Sequence, residues 1–257
     1  MHGAGNDFIM VDDRALGFPV GDKAFIQRVA ARRTGIGCDG ILLIQPSETA
    51  DFRMRFINPD GGEQDMCGNG ARCIARLAFD RGIAAGKMAI ETGAGVVRAE
   101  VRGGSVRLNL TDPVGLELDL PLGLAWTTDY VDTGVPHVVA WVDDPAGIDV
   151  PEFGRLIRQH DRFAPNGTNA NFARMEADGS LTLRTYERGV EAETLACGTG
   201  ATAVAVIAAK RNWVKLPATV HCAGGFDLVI DSIQGATTLA GGAEYVFDGE
   251  MEYGDRV

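Results

Sequence analysis

Long apolar runs are missing from this sequence. No stretch of about 18 apolar residues could cross a bilayer as a helix, and the opening MHGAGNDFIMVDD has neither the basic flank nor the apolar core of an export signal. A soluble, cytoplasmic protein is the expectation. Positive charge is also scarce: 24 lysines and arginines stand against 35 acidic residues, a formal net charge of -11. Such a field disfavours nucleic acid and anionic membrane surfaces, and neither is expected as a partner. Cysteine is sparse and unpaired in pattern. The five thiols, Cys38, Cys67, Cys73, Cys197 and Cys222, include no C-x-x-C pair, which excludes a small disulfide-stapled scaffold. Cys67 and Cys73 are too far apart for paired zinc ligands and the four histidines are scattered, so no metal is expected. Walker A is absent, and GIGCDG at 35–40 runs directly into strand-like GILLI rather than a helix, so no nucleotide cofactor is expected either.

Glycine, by contrast, is abundant: 34 of 257 residues, about 13% against a usual level of about 7%. The length fits one large domain or two medium ones. Short runs with strand character, FIMVDD, GILLIQP, DFRMRFINP, KMAIETGAG, VVRAEVRG and SVRLNL, lie between glycine or proline breakers. Helical spacing appears at 22–30, with Phe25, Ile26 and Val29 on one face, and at 71–79, with Ile74, Leu77 and Ala78 together. The proline-bearing stretch 111–123 reads as a crossing between domains.

The second half repeats the first. Shifted by 130 residues, CGNGARCIARLAFDRG at 67–82 lies over CGTGATAVAVIAAKRN at 197–212, and both follow a strand that runs into a charged turn. The helix near 152–158 echoes the one near 22. Two copies of one α+β unit follow, in pseudo-twofold arrangement, with equivalent loops face to face. Each repeated motif is a strand, a turn and Cys-Gly-x-Gly opening a helix. Exposed amides at a helix N-terminus hold carboxylates and favour thiolate over thiol. Cys67 and Cys197 therefore sit where acid/base chemistry wants them. Inverting a carbon requires a base on one face and an acid on the other, and a thiolate facing a thiol supplies both. Asn6, Asn58, His137, Asn169, Glu187 and Arg188, gathered in the same turns, have the chemistry to orient the ammonium and carboxylates of an amino acid.

MHGAGNDF, RTGIGCDG, INPDGGEQDMCGNGARC, TGVPH, NGTNANF and YERGVEAETLACGTG resemble, in order and over almost the whole chain, the motifs of the diaminopimelate epimerase family, a group of epimerases that work without pyridoxal phosphate. The resemblance implies an α+β fold of two pseudo-symmetric domains, each a central helix wrapped by mostly antiparallel strands, with the active site in the interdomain cleft. The halves are expected at 1–115, completed by a C-terminal strand from about 246–257, and at 116–245. It implies cofactor-free interconversion of LL- and meso-diaminopimelate, a step toward lysine and peptidoglycan, with Cys67 and Cys197 as catalytic bases. Gly68, Asn69, Gly198 and Thr199 would offer groups to the reacting carboxylate. Asn6, Asn58, His137, Asn169 and Glu187 would contact substrate, and Arg188 would hold the distal carboxylate. The expected partner is a small amino-acid dicarboxylate, and a homodimer is left open.

Three departures stand out. Val135 occupies the place of the family's usual asparagine in GNPH, the turn between Arg188 and Cys197 is one residue longer than the commonest form, and the chain starts directly at HGAGNDF. Two other readings remain at this point: another amino-acid racemase on the same scaffold, and a redox or regulatory protein that uses the two cysteines as a dithiol.

Overall fold

In the computed structural model, which describes residues 1–233, 235–251 and 253, four α-helices divide into two kinds. Helices α1 (Lys23–Ala30) and α3 (Val150–Arg158) begin at aspartates: Asp22 accepts from the Phe25 amide at 2.9 Å and Asp149 from the Glu152 amide at 2.9 Å. These carboxylates satisfy amides that the first turn leaves open. Helices α2 (Gly68–Asp80) and α4 (Gly198–Lys210) instead begin at Cys67 and Cys197. Both are buried on most sides, and α4 is built almost wholly from alanine, valine and isoleucine with glycine and threonine, a slim, apolar cylinder that strands can wrap.

The strand Gly40–Gln45, GILLIQ, is buried throughout. Alternation along a strand sends Leu42 and Ile44 into the core around α2, and Ile41 and Leu43 into the core beneath α1. The second half repeats this layering around α4 and α3.

Strand pairing repeats as well. Asn6–Asp12 lies parallel to Gly40–Gln45, which is antiparallel to Phe52–Ile57. Phe52–Ile57 pairs antiparallel with Glu63–Gln64 and parallel with Lys87–Thr92, and two antiparallel turns lead through Gly95–Arg102 to Ser105–Asn109. The same succession runs through Pro136–Trp141, Asn169–Met175, Leu181–Glu187, Ala192–Thr194, Ala218–Cys222, Asp227–Ile233 and Ala236–Gly242. The closing strands of the halves, Ser105–Asn109 and Ala236–Gly242, pair antiparallel with Leu108 opposite Leu239. The fold is α+β with two pseudo-symmetric halves.

Two details refine the sequence reading. The stretch 111–123 contains a strand, Val114–Glu117, that spans the expected boundary at 115/116 and pairs with Thr127–Asp132 of the second half. Among the described residues of 246–257 no strand forms; residues 252 and 254–257 lie outside them. The chain returns to the first half through Ala236–Gly242 and a bridge between Glu244 and His2, whose backbones exchange hydrogen bonds at 2.8 and 2.9 Å. Beyond it, Asp248 meets Arg81 at 3.0 Å and the Tyr253 ring stands edge-on to Phe25. No helix among the described residues is long and apolar enough to cross a membrane.

Candidate active site

Each half contributes one thiol at the start of its central helix. The Cys197 sulphur accepts the Gly200 amide at 3.4 Å and lies 3.4 Å from the Thr199 hydroxyl. Burial pushes this thiol up, the Glu187 charge pushes it further, and the Thr199 hydroxyl and Gly200 amide oppose them. Cys67 is raised by burial in the same way, with the Gly70 and Asn69 amides and the Arg72 charge drawing it back and the Glu187 charge adding to the rise. Glu187 thus acts on both sulphurs. Burial also lifts the Glu187 carboxyl itself, while hydrogen bonds with Thr194 and Cys197 counter that rise.

The two thiols face different acceptors. Cys67 donates to Asn6 Oδ1 at 3.6 Å, a neutral amide, whereas Cys197 is hydrogen-bonded to the Glu187 carboxylate. Asn6 is delivered by a tight hairpin turn in which Ala4 and Gly5 both adopt positive φ, 54° and 83°, the backbone of a type I′ connection. At Gly5 a β-carbon would lie 2.8 Å from Phe226 and 2.9 Å from Leu195. Glycine lets the turn that carries Asn6 seat directly against the second half.

Behind Cys197, strand Asn169–Met175 places Asn169 and Asn171 on one face, two residues apart. Asn169 accepts the Arg188 amide at 2.7 Å and donates to the Pro136 carbonyl at 3.1 Å, so its side chain braces the turn that presents Arg188. Asn171 donates to the Val138 carbonyl at 2.8 Å, lies 3.0 Å from His137 Nδ1 and accepts from the Thr185 hydroxyl at 3.0 Å. His137 is fully buried, and its Nε2 has no partner among the described residues. Burial first, then the Arg188 charge, lower the imidazole to about 3, so it is neutral at pH 7. Thr133 donates to the Thr199 carbonyl at 3.1 Å and ties the loop before His137 to the start of α4.

The structure therefore gathers Asn6, Asn69 and Cys67 on one side, and Glu187, Thr199, Gly198 and Cys197 on the other, with Asn169 and Arg188 joined in the turn after Glu187. Asn58 sits in the turn after Phe52–Ile57, its backbone bonded to Gly61 and Gly62. Gly68 opens α2 with free space where a β-carbon would stand. Cys38, Cys73 and Cys222 are buried and cap no helix. Sequence reading missed Asn171, Thr185, Asp39 and Arg72. For Asn171 a signal existed: period-two spacing puts a second asparagine on the face of Asn169, in an otherwise apolar strand.

A two-lobed α+β fold carrying one cysteine at the start of the central helix of each lobe defines the class. A phenazine biosynthesis protein of the PhzF family from Bacillus anthracis shares the fold, with a TM-score of 0.69 at 18% identity over 95% of this chain and 92% of that one. A family model described as diaminopimelate epimerase matches residues 1–114 and 129–246. A diaminopimelate epimerase from Aquifex aeolicus is 40% identical over 272 residues, covering 98% of this chain and 96% of its own. Another, from Chlorobaculum tepidum, is 41% identical over 261 residues, covering 98% and 99%. The chain belongs to the diaminopimelate epimerase family.

Proposed function

We propose that this chain epimerises diaminopimelate, LL to meso, by a two-base mechanism in which Cys67 and Cys197 exchange a proton with opposite faces of one α-carbon. The observation that carries the reading is the pair of thiols at matched helix N-termini, one from each half, both under the influence of Glu187. One sulphur enters as thiolate and removes the α-hydrogen; the other, as thiol, delivers its proton from the far side. In the reverse direction the roles exchange. Negative charge grows on the substrate carboxylate as the carbanion forms. The amide groups of Gly68 and Asn69 and of Gly198 and Thr199, at the positive ends of α2 and α4, are the donors assigned to it.

Burial raises both thiols in the free protein, so the bound substrate has to supply the counterweight. Its α-ammonium, brought beside a sulphur, favours the thiolate by the same electrostatics through which Glu187 opposes it. Arg188 is assigned to the distal carboxylate and Asn6, Asn58, His137, Asn169 and Glu187 to orienting the remaining polar groups. Local recognition of this kind works against the average field of a chain with net charge -11.

Solvent-deuterium incorporation at the α-carbon tests the reading, with LL-diaminopimelate, histidine, glutamate and proline compared under reducing conditions. Exchange is expected for diaminopimelate. Exchange of histidine, glutamate or proline in its place would assign a different racemase, and thiol exchange with no α-exchange would assign a dithiol protein. Cys67→Ser and Cys197→Ser should each lower kcat by about 10²-fold or more; unchanged turnover in both would reject the two-base assignment.

A further inference from the structure

We propose that Asp39 and Arg72 are positioning residues at the two ends of a directional hydrogen-bond chain that fixes which side of the Asn6 amide Cys67 meets. Arg72 Nη2 donates to Asn69 Oδ1 at 3.0 Å. That contact commits the other side of the Asn69 amide, Nδ2, which donates to Asn6 Oδ1 at 3.4 Å. Asn6 Nδ2 then donates to Asp39 Oδ2 at 2.7 Å. A guanidinium offers only donors and a carboxylate only acceptors. With such ends, neither amide can turn over without setting donor against donor or acceptor against acceptor.

The consequence falls on the thiol. Asn6 Oδ1, the atom 3.6 Å from Cys67 Sγ, is an acceptor, and it stabilises S–H over the thiolate. An inverted Asn6 would present N–H and reverse that preference. Asp39 is itself anchored by Arg32 Nη2 at 2.7 Å, and its side chain is 42% exposed. Its charge is therefore paired and screened, and its influence passes through the amide rather than through space. Arg72 is fully buried, and its Nε donates to the Gly242 carbonyl at 3.3 Å, so the same chain is pinned to the second half. Besides this chain, the Glu187 charge acts on Cys67, and the Cys67 charge in turn raises Cys73 behind it. Neither Asp39 nor Arg72 is assigned a contact with substrate.

This role rests on the two-thiol reading, and its test reads the thiol directly rather than turnover. The rate of Cys67 alkylation by iodoacetamide is followed against pH, by mass spectrometry of the Cys67 peptide, in the full-length protein. The Asp39 variants are made in an Asn69→Ala background, because Asn69 held by Arg72 would otherwise keep Asn6 in place; there Asp39→Asn, which can donate to Asn6, frees the amide to invert. The profile should move about one pH unit toward acid, a roughly tenfold faster reaction at a fixed pH below the midpoint. Asp39→Ala should shift it in the same direction, and Asp39→Glu, still acceptor-only, should restore the original profile. In an Asn6→Ala background the Asp39→Asn shift should vanish, because the link is gone. A folded Asp39→Asn protein with an unmoved profile overturns the proposal, and so does a shift that persists without Asn6. A shift seen in a protein that exchanges no diaminopimelate would instead overturn the substrate assignment and leave the chain standing.

Discussion

Alanine at position 200 probes how firmly the second thiol's helix is seated. A β-carbon at Gly200, in the first turn of α4, would lie 2.5 Å from Asn171 Oδ1 and 3.3 Å from Thr185 Oγ1. Asn171 would have to retreat by about 1 Å to reach ordinary contact distance, and it is held by three partners in a fully buried place. Losing one buried hydrogen bond costs about 1–3 kcal/mol, and overpacking adds about 1–3 kcal/mol. The helical preference of alanine over glycine returns about 1 kcal/mol. The balance is a destabilisation of about 1–5 kcal/mol, or a fall in Tm of roughly 2–20 °C for a chain of this size. Two other glycines calibrate the measurement. At Gly70 the added carbon presses on the tip of Leu42, at 2.8 Å, and lies in ordinary contact with Phe8 at 3.5 Å, and at Gly68 it meets nothing within 4 Å. Scanning calorimetry should therefore rank the losses Gly200→Ala, then Gly70→Ala, then Gly68→Ala near zero. A Gly200→Ala protein that melts at or above the parent would refute the packing argument.

Three other outcomes follow from the same geometry. The Glu187 charge raises both Cys67 and Cys197, so Glu187→Gln should lower both and move the bell-shaped pH profile of kcat/KM toward acid; a profile that stays in place or moves toward alkali contradicts this. His137, held near a pKa of about 3, stays neutral in the native state while the unfolded chain takes up its proton below about pH 6.5. The unfolded state then binds more protons, and stability falls as pH drops from about 6.5 toward 3, by about 1.4 kcal/mol per pH unit once well below 6.5. Urea midpoints of His137→Gln should show a shallower acid limb, and parallel limbs in the two proteins would count against it. Asp129 is fully buried and accepts from Arg211 at 2.8 and 2.6 Å, from the Trp141 indole at 2.7 Å and from the Asp119 amide at 2.8 Å. Removing it leaves the Trp141 indole without its acceptor and Arg211 paired with Asp119 alone, at 2.7 Å, so Asp129→Ala should cost about 1–3 kcal/mol in urea unfolding; a loss below about 1 kcal/mol would mean the network relaxes around the gap.

Local pattern carried the sequence reading a long way and then stopped at contacts between distant segments. The strands at 40–45 and 52–57 and the helices near 22 and 71 are written in periodicity and breakers, and the matched Cys-Gly-x-Gly turns announce themselves through the repeat. Asp39 does not. Its link to Asn6 exists because Asn6–Asp12 and Gly40–Gln45 lie parallel, which brings together residues 33 positions apart. Arg72 looks like a surface arginine four residues before Arg76, yet only Arg76 reaches solvent and pairs with Asp80 at 2.6 Å. The strand Ala236–Gly242 of the second half closes over the start of α2 and buries Arg72, and no helical wheel contains that information. Asn169 shows the converse: its motif marks it for substrate, while the structure adds a bracing role for the Arg188 turn that spacing does not reveal.

The seam between the halves has a meaning of its own. Leu108 and Leu239 are 131 positions apart, close to the period of the internal repeat, and they face each other across the antiparallel pairing of Ser105–Asn109 with Ala236–Gly242. A residue paired with its own repeat counterpart marks a local dyad, so the molecule has the geometry of a homodimer whose subunits have been joined into one chain. A true homodimer must place identical groups beside its two thiols. Joining the subunits releases that constraint, and the site uses the freedom: Asn6 stands beside Cys67 and Glu187 beside Cys197. With different neighbours, the two otherwise equivalent sulphurs hold their protons for different reasons, Cys67 against the Arg72 charge and Cys197 under the Glu187 charge, a division of labour that strict symmetry would forbid.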